Sequence, residues 1–556
     1  MMKQTENPLI VQGDRTLLLE VRHPKYSEVR DALTPFAELI KSPDYIHTYR
    51  LTPLSLWNAA ALGFRAETVL DVLERYAKFP VPAAVRDEIK RTMSRFGQLQ
   101  LFIRGEELVL AAAEPQIMKD ILSYVSIANL IGRRINEREA VIPFAWRGAI
   151  KQSLLKLGYP VQDMAGYTDG ERVDMALCEQ RGFMLRDYQK AAVDAFYAGG
   201  SISGGNGVIV LPCGAGKTLV GIETMVRFGM ATLVLTSSTV SVKQWKKEML
   251  ARTTLTEEQI GMYTGQEKQV CPVTVSTYQM ITHRSAESGE FPHLSLFHER
   301  DWGLIIYDEV HLLPAPVFRM TADIQAKRRL GLTATLVRED GRADDVFSLI
   351  GPKKYELPWK QLEERGFIAN AACTEIRIPL SASRKIEYMG AGERQKFRIA
   401  AENPGKTPIV KEVLKRHEGE QILIIGQYVS QLETLAQELK APLITGKTPQ
   451  EERETLYGKF RRGEVDMLVV SRVANFAIDL PDASVAVQVS GTFGSRQEEA
   501  QRLGRILRPK KDGRTAHFYS LVSAESKEEQ YAHRRQMFLV EQGYEYNLHV
   551  IERTLS

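Results

Sequence analysis

The 556-residue sequence contains only four cysteines, and no two of them form a Cys-x-x-Cys pair. This spacing argues against a zinc site, a disulfide scaffold and an iron–sulfur cluster, and it favours reduced intracellular thiols. No stretch approaches the roughly twenty apolar residues that a membrane-spanning helix requires, and the N-terminus lacks an apolar signal core. We therefore predict a cytoplasmic protein that does not bind a membrane.

The sequence also lacks an excess of charge of either sign. Its 73 basic and 69 acidic residues leave a net charge of only +4. Without a basic tail, any nucleic-acid surface must come from the local arrangement of side chains. The hydrophobic content of 44% is that of a globular protein. Because single cores stop growing at about 250–300 residues, the length predicts three or four domains.

A phosphate-binding turn is the most informative feature of the chain. The apolar run Val208–Val210 predicts a strand, and Leu219–Phe228 predicts a helix. The glycine-rich turn between them would offer backbone N–H groups to phosphate at the helix N-terminus. The strict motif has glycine where Leu211 stands, so the flanking elements carry the prediction. The predicted nucleotide-binding residues of this turn are Pro212, Cys213, Gly214, Ala215, Gly216, Lys217 and Thr218.

Four polar side chains are predicted to carry the chemistry of a nucleoside triphosphatase. Lys217, taken as an exposed loop cation, would neutralise β- and γ-phosphate oxygens, and the Thr218 hydroxyl would bind Mg²⁺. Asp308 and Glu309 follow a second apolar strand, Trp302–Tyr307, at the end where open α/β sheets bind ligands. Asp308 is predicted to hold the Mg²⁺, and Glu309 to act as general base towards water.

With further segments in the expected order, these motifs make the chain resemble a superfamily 2 helicase. Leu185–Gln189 resembles the family's adenine-recognition segment, which implies that Gln189 pairs with the base and that Arg186 lies nearby in the nucleotide site. Ser237 and Thr277 stand in segments similar to those that hold the nucleic-acid backbone. The resemblance therefore implies that the chain binds both ATP and a nucleic acid.

Other matches imply a second lobe and coupling between the lobes. The segment 501–508 resembles the arginine-finger motif, so the implied nucleotide contacts include Gln501, with Arg505 and Arg508 facing the γ-phosphate. Asp479 lies two residues after Ala477, where the family commonly has glycine, and is implied to sense the nucleotide or the sugar. The residues implied to couple hydrolysis to strand movement are His311, Thr333 and Thr335, with Gln501 as a candidate partner of His311.

A narrower resemblance comes from the tripeptide Arg338, Glu339 and Asp340. It is similar to the Arg-Glu-Asp element that XPB-type DNA helicases use in strand opening, although elsewhere such a tripeptide is usually a solvated loop. Leu51–Ala60 resembles the N-terminal domain of that family, and Val242–Trp245 resembles its early helix. The likeness therefore covers nearly the whole chain.

The resemblance implies an α/β fold with two RecA-like lobes and parallel sheets, preceded by small mixed α/β domains. The implied domains are an N-terminal domain at 1–97, a damage-recognition-like domain at 98–170, an ATP-binding lobe at 171–365 and a C-terminal lobe at 366–556. A module that docks a partner fits residues 98–170 equally well. A thumb-like insertion is expected near 380–406, where a solvated basic helix is nearly as good an interpretation.

The implied function is that of an ATP- and Mg²⁺-dependent 3′→5′ DNA helicase in repair, without sequence specificity. Its implied partner is DNA as a single strand and fork, and a repair nuclease or another repair protein is a further candidate. A prokaryotic source would make it nucleoid-associated. The alternative is a duplex DNA translocase that uses the same motor residues without separating strands. An inactive scaffold is disfavoured because Lys217, Asp308, Glu309 and Arg505 are all present.

Overall fold

A computed structural model describes most of the chain. The described residues are 7–42, 45–178, 184–201, 204–212, 214–285, 289–325, 327–334, 343–367, 370–471, 483–491, 515–541, 544 and 546–551. These residues divide into two compact units. The first comprises the described parts of Met1–Glu38, Thr48–Leu211 and Gly216–Leu357, and the second those of Leu39–His47, Pro212–Ala215 and Pro358–Ser556. None of the helices within these ranges is long and apolar enough to cross a membrane.

The N-terminal part of the chain alternates short strands and helices. Its elements are β1 (Leu9–Val11), β2 (Thr16–Glu20), α1 (Tyr26–Leu33), β3 (Glu38–Lys41), β4 (Ile46–Arg50), α2 (Pro53–Ala61), α3 (Ala66–Tyr76) and α4 (Ala83–Ser94). Strands β1 and β2 pair antiparallel. Helix α2 begins after Thr52, because the Thr52 hydroxyl accepts a hydrogen bond from the Ser55 amide at 3.1 Å and Pro53 occupies the first helical position.

A second small layer follows, with a five-stranded sheet in the order β7-β8-β6-β5-β9. Its elements are β5 (Leu99–Arg104), β6 (Glu107–Ala112), α5 (Pro115–Leu122), α6 (Val125–Ala128), β7 (Arg133–Arg134), β8 (Glu139–Ile142), α7 (Arg147–Lys156) and β9 (Val161–Asp163). Strands β5 and β6 form a hairpin and pair antiparallel. Alternate residues of this hairpin, such as Leu99, Leu101, Leu108 and Leu110, bury one face of the sheet against the helices.

The rest of the first unit is a parallel α/β sheet with seven strands in the order β12-β13-β11-β14-β15-β10-β16. Its elements are α8 (Asp187–Tyr197), β10 (Asn206–Val210), α9 (Lys217–Phe228), β11 (Thr232–Thr236), α10 (Thr239–Arg252), β12 (Ile260–Tyr263), β13 (Val273–Thr277), α11 (Tyr278–Ile281), β14 (Leu304–Asp308), α12 (Ala315–Asp323), β15 (Arg328–Thr333), α13 (Ala343–Leu349) and β16 (Lys353–Glu356). The central strands are buried on both faces, as sheets covered by helices require.

The second unit contains another parallel sheet of seven strands, in the order β19-β20-β18-β21-β22-β17-β23. Its elements are α14 (Trp359–Glu364), β17 (Ala371–Ile378), α15 (Ala382–Gly390), α16 (Glu393–Ala401), α17 (Lys406–Arg416), β18 (Ile422–Gly426), α18 (Val429–Leu439), β19 (Leu443–Ile444), α19 (Gln450–Arg461), β20 (Met467–Ser471), β21 (Val485–Gln488), β22 (Ala516–Ser523), α20 (Lys527–Glu541) and β23 (Tyr546–Val550). The predicted fold class, two RecA-like lobes after small mixed domains, is confirmed.

The basic region near 380–406 consists of the helix pair α15 and α16. Tyr388, Ile399 and their neighbours form a small core between the two helices. The basic side chains are partly neutralised within the pair, since Arg384 bonds to Glu387 at 2.8 Å and Arg398 to Glu402 at 2.9 Å. The region is therefore more than a solvated basic helix, and its role as a thumb stays a prediction.

Helix α7 packs against α12 and α13, so the small N-terminal layers and the seven-stranded sheet of the first unit share a core. A β-carbon at Gly148 would come within 2.4 Å of the Ala322 carbonyl oxygen, so only glycine allows this approach. Nearby, the buried Asp163 accepts hydrogen bonds from Arg147 and Lys151, each at 2.8 Å. Lys151 also donates to the side chain of Gln325, at the start of the turn before β15.

The buried cluster contains three cations, Arg147, Lys151 and Arg329, beside the one carboxylate of Asp163. Burial, with the nearby positive charges of Arg329 and Arg147, lowers the pKa of Lys151 to about 7. Although burial opposes ionisation of Asp163, the charges of Lys151 and Arg147 hold its pKa well below the usual range. The positive charge of the buried cations is therefore compensated by one ionised carboxylate.

Candidate active site

The phosphate-binding turn joins the carboxyl end of β10 to the first residue of α9. Gly214 and Gly216 both have a φ of +80°, the left-handed region where residues with a β-carbon are disfavoured. A β-carbon at Gly216 would lie 2.4 Å from the Gln189 side-chain nitrogen. Gly216 is therefore required both by the turn and by the close approach of Gln189. The N-terminal N–H groups of the twelve-residue helix α9 begin at this turn, and such groups bind phosphate.

The structure brings Gln189, one of the two predicted adenine-recognition residues, to this turn. Gln189 is buried and accepts a hydrogen bond from the backbone N–H of Arg186 at 2.9 Å, which fixes the start of α8. The Arg186 guanidinium donates to the Tyr188 hydroxyl at 3.2 Å. The side chain of Gln189 is thus held by the Arg186 backbone, and its contact with a base stays a prediction.

The two carboxylates and the lysine of the turn meet in the first unit. The Lys217 ammonium lies 3.7 Å from Glu309 Oε1 and 3.5 Å from the Leu211 carbonyl oxygen. The prediction that Lys217 is an exposed loop cation is wrong, because it is the first residue of α9 and its side chain is only 11% exposed. Parallel β-strands place their carboxyl ends at one edge, which is why residues so distant in sequence meet here.

Glu309 adopts an uncommon backbone conformation at the end of β14. Its φ of +51° and ψ of +54° lie in the left-handed region, which costs on the order of 1 kcal/mol or more for a residue with a β-carbon. The turn directs its side chain back towards Lys217. Strain of this kind persists where the surroundings fix a functional geometry.

Asp308 has donors on both of its carboxylate oxygens. The indole N–H of Trp245 donates to Oδ2 at 2.9 Å, and the backbone N–H of Glu309 to Oδ1 at 3.1 Å. The Tyr278 hydroxyl donates to the backbone carbonyl of Asp308 at 2.9 Å. Burial, together with the negative charge of Glu309, raises the pKa of Asp308 to about 6. Asp308 and Glu309 together carry more negative charge than Lys217 balances, and this excess favours the binding of a cation.

These residues fit a magnesium–nucleotide complex. Within the described ranges, no group of three or more His, Cys, Asp or Glu side chains could hold a metal by itself. Mg²⁺ in nucleotide sites is held by one or two carboxylates together with phosphates and waters. Asp308 meets the carboxylate requirement, and the roles of Asp308 and Thr218 as metal ligands stay predictions. The buried Oε2 of Glu309 forms no hydrogen bond with the described residues, so its capacity to accept one is unused.

Two of the predicted coupling residues are in contact. His311 Nδ1 lies 2.7 Å from the Thr333 hydroxyl and 3.5 Å from Glu309 Oε2. Thr333 ends β15, which pairs in parallel with β10 so that Thr333 stands opposite Val210. The buried imidazole of His311 thus connects Glu309 with the end of β15, the strand that pairs with β10.

The predicted nucleic-acid contacts differ in accessibility. Ser237 is exposed at the end of β11. Thr277 is buried, and its hydroxyl accepts from the Met280 amide at 3.0 Å to begin α11. Their contacts with DNA stay predictions. The predicted site residues outside the described ranges are Cys213, Thr335, Arg338, Glu339, Asp340, Asp479, Gln501, Arg505 and Arg508.

Sequence reasoning missed two side chains at the carboxylates, Trp245 and Tyr278. The sequence indicates Trp245 only as part of a helix resembling one in the XPB-type family. The sequence signal for Trp245 was a tryptophan in a helix that follows a strand end. A buried indole N–H needs an acceptor, so such a tryptophan indicates a polar partner nearby. Nothing in the sequence identified Asp308 as that acceptor.

Family models match three parts of the chain. The model described as "ERCC3/RAD25/XPB C-terminal helicase" matches residues 362–555. Those described as "Type III restriction enzyme, res subunit" and "Helicase conserved C-terminal domain" match residues 182–338 and 9–136.

Curated relatives match almost the full length. The chain is 54% identical to the "DNA 3'-5' helicase XPB" of Mycobacterium tuberculosis, over 98% of this chain and 97% of the relative. It is 53% identical to the protein of the same name from Kineococcus radiotolerans, over 98% and 96%. It is 34% identical to the "General transcription and DNA repair factor IIH helicase/translocase subunit XPB" of Antonospora locustae, over 98% and 82%.

Proposed function

Because the chain belongs to the XPB family of DNA helicases, we propose that it hydrolyses ATP to move 3′→5′ along one DNA strand and separate the duplex in DNA repair. The observation that carries the proposal is the meeting of Lys217, Asp308 and Glu309 at one edge of the parallel sheet. An ATP-driven motor needs a phosphate-binding cation, a metal ligand and a base, and this edge supplies all three.

In the proposed mechanism the first unit binds the triphosphate and prepares the water. Lys217 and the N–H groups of α9 hold the phosphates, while Asp308 and Thr218 hold Mg²⁺, which when bound supplies charge neutralisation of the phosphates. Glu309 takes the proton from the attacking water through a carboxylate that Lys217 and the left-handed turn orient. His311 carries the change in this pocket to Thr333.

The second unit is proposed to complete the cycle. By family resemblance, Arg505 and Arg508 stabilise the charge that develops on the γ-phosphate, while Gln501 and Asp479 respond to the nucleotide. An arginine finger of this kind is worth about 10³–10⁵ in rate. The proposed strand contacts are Ser237 and Thr277, with the tripeptide 338–340 at the fork, and they position DNA without reading its sequence. A repair nuclease or another repair protein is proposed as a partner.

A second candidate function is duplex translocation without strand separation. It is kept because the name of the Antonospora relative includes "helicase/translocase". Both functions use the same ATP site, so only the product of the motion distinguishes them.

A strand-displacement experiment tests the proposed function. With ATP and Mg²⁺, the full chain is expected to release the labelled strand from a duplex with a 3′ single-stranded tail, and not from one with a 5′ tail. Triplex displacement from tail-free duplex DNA serves as the parallel assay for translocation. Triplex displacement without strand release would favour the second candidate, whereas a preference for the 5′ tail would contradict 3′→5′ movement.

Glu309→Gln should separate nucleotide binding from turnover. The amide keeps the size of the side chain and spares Asp308, but it cannot accept the proton of the attacking water, so ATP hydrolysis should fall by about 10²–10⁴. Nucleotide affinity should stay near that of the unmodified chain, measured with a fluorescent ADP analogue. Glu258→Gln, at an exposed glutamate of the same sheet domain, is the control. Normal ATP turnover by the Glu309→Gln variant would show that Glu309 is not the base.

A further inference from the structure

Trp245 connects helix α10 with the Asp308 carboxylate. Its side chain is 1% exposed, and its indole N–H donates to Asp308 Oδ2 at 2.9 Å. The ring lies against α9, the helix that begins at the phosphate-binding turn. A β-carbon at Gly221 in that helix would lie 2.5 Å from the edge of the indole. Gly221 therefore makes the space in which the indole reaches Asp308.

The bonds around Asp308 restrain the direction of its carboxylate. Trp245 holds one oxygen, and the Glu309 amide holds the other at 3.1 Å. An ionised carboxylate has about four lone-pair positions, so these two donors leave acceptor positions for a metal ion. The indole is a neutral donor that cannot accept, so it restrains the carboxylate without cancelling the charge that a cation needs.

We propose that Trp245 is a positioning residue that holds Asp308 in the orientation required to bind Mg²⁺ together with the nucleotide. The inference rests on the proposed ATPase function and assigns Trp245 a role beyond filling the core. Partners that orient a metal ligand typically change metal affinity or activity by about 10- to 100-fold when they are replaced.

The test replaces Trp245 with phenylalanine in the full chain, which keeps an aromatic ring beside Gly221 and removes the N–H donor. The matched control is Trp302→Phe. Trp302 is fully buried in the same sheet domain, and its N–H donates at 2.9 Å to the Leu296 carbonyl rather than to the site. Both variants lose one buried indole hydrogen bond, so a general loss of stability should affect them alike.

The readout is the affinity for a fluorescent ADP analogue, titrated with and without Mg²⁺. Affinity without Mg²⁺ should be unchanged in both variants. The Mg²⁺ concentration that gives half of the Mg²⁺-dependent gain in affinity should rise about 10- to 100-fold in Trp245→Phe and stay unchanged in Trp302→Phe. Equal values in the two variants would overturn the proposal.

A second variant preserves the shape of the side chain in case phenylalanine loosens the fold. 3-Benzothienylalanine at position 245 replaces the indole N–H by sulfur with nearly the same ring outline, so only the donor is lost. It should show the same increase in the Mg²⁺ requirement, and a Mg²⁺ requirement like that of the unmodified chain would overturn the proposal. Failure of the unmodified chain to bind nucleotide in a Mg²⁺-dependent way would instead contradict the proposed ATPase function.

Discussion

Replacing Lys217 by alanine is expected to lower ATP hydrolysis by about 10²–10³, because one preorganised electrostatic contact with the phosphates is lost. The structure adds a second cause. The Lys217 ammonium lies 3.7 Å from Glu309 Oε1, so its loss leaves the two adjacent carboxylates without their nearest cation. Strand separation, which depends on hydrolysis, should fall below detection in the tailed-duplex assay.

The Lys217 variant should keep its secondary structure, which circular dichroism would show, because the side chain is at a helix N-terminus rather than within the sheet. Lys190→Ala, at an exposed lysine on α8, is the matched control and should hydrolyse ATP at the rate of the unmodified chain. Hydrolysis within a factor of about three of that rate in the Lys217 variant would contradict a stabilising contact of this size.

The second large effect is expected on the free energy of unfolding of the first unit, and it concerns the buried cluster around Asp163. Asp163→Asn removes the one carboxylate that bonds Arg147 and Lys151, with the buried Arg329 close to Lys151. Leaving buried cations without their partner typically costs about 3–5 kcal/mol. The first unit should therefore unfold at a lower denaturant concentration, followed by fluorescence and by calorimetry. Glu139→Gln is the control, because its partner Arg104 is half-exposed and surface pairs contribute little.

The pH dependence of this difference follows from the pKa of Asp163, which is lower in the folded chain than in the unfolded chain. The carboxylate therefore stabilises the fold above its unfolded pKa of about 3.9, and this contribution is lost as the pH falls below that value. The difference in free energy of unfolding between the unmodified chain and the Asp163→Asn variant should be complete at pH 6 and should become progressively smaller below about pH 4. An equal loss in free energy of unfolding in Asp163→Asn and Glu139→Gln would contradict the stabilising role of the Asp163 carboxylate.

Features that depend on neighbouring residues could be predicted from the sequence. The turn at Gly214 and Gly216, the helix start at Thr52 and the position of Asp308 after a buried strand each follow from a few adjacent residues. These local patterns, ordered along the chain, were also sufficient to predict two parallel sheets.

Features that depend on distant contacts could not be predicted. The bond from Trp245 to Asp308 spans 63 residues, and the bond from Lys151 to Gln325 spans 174. Neither has a local signature, because the partner of a buried polar group is chosen by the fold. The burial of Lys217 was missed for the same reason, since it depends on the approach of Glu309.

The contact at Gly148 has a consequence for how this chain can change over generations. Because α7 fits against Ala322 only without a β-carbon, a mutation on one side requires an accommodating change on the other. A gene fusion or recombination event that joined the N-terminal layers of one ancestor to the ATP-binding sheet of a diverged one would bring together mismatched halves of one core. We therefore expect these two segments to be inherited as a single block, with substitutions at Gly148, Ala322, Lys151 and Gln325 correlated among descendants.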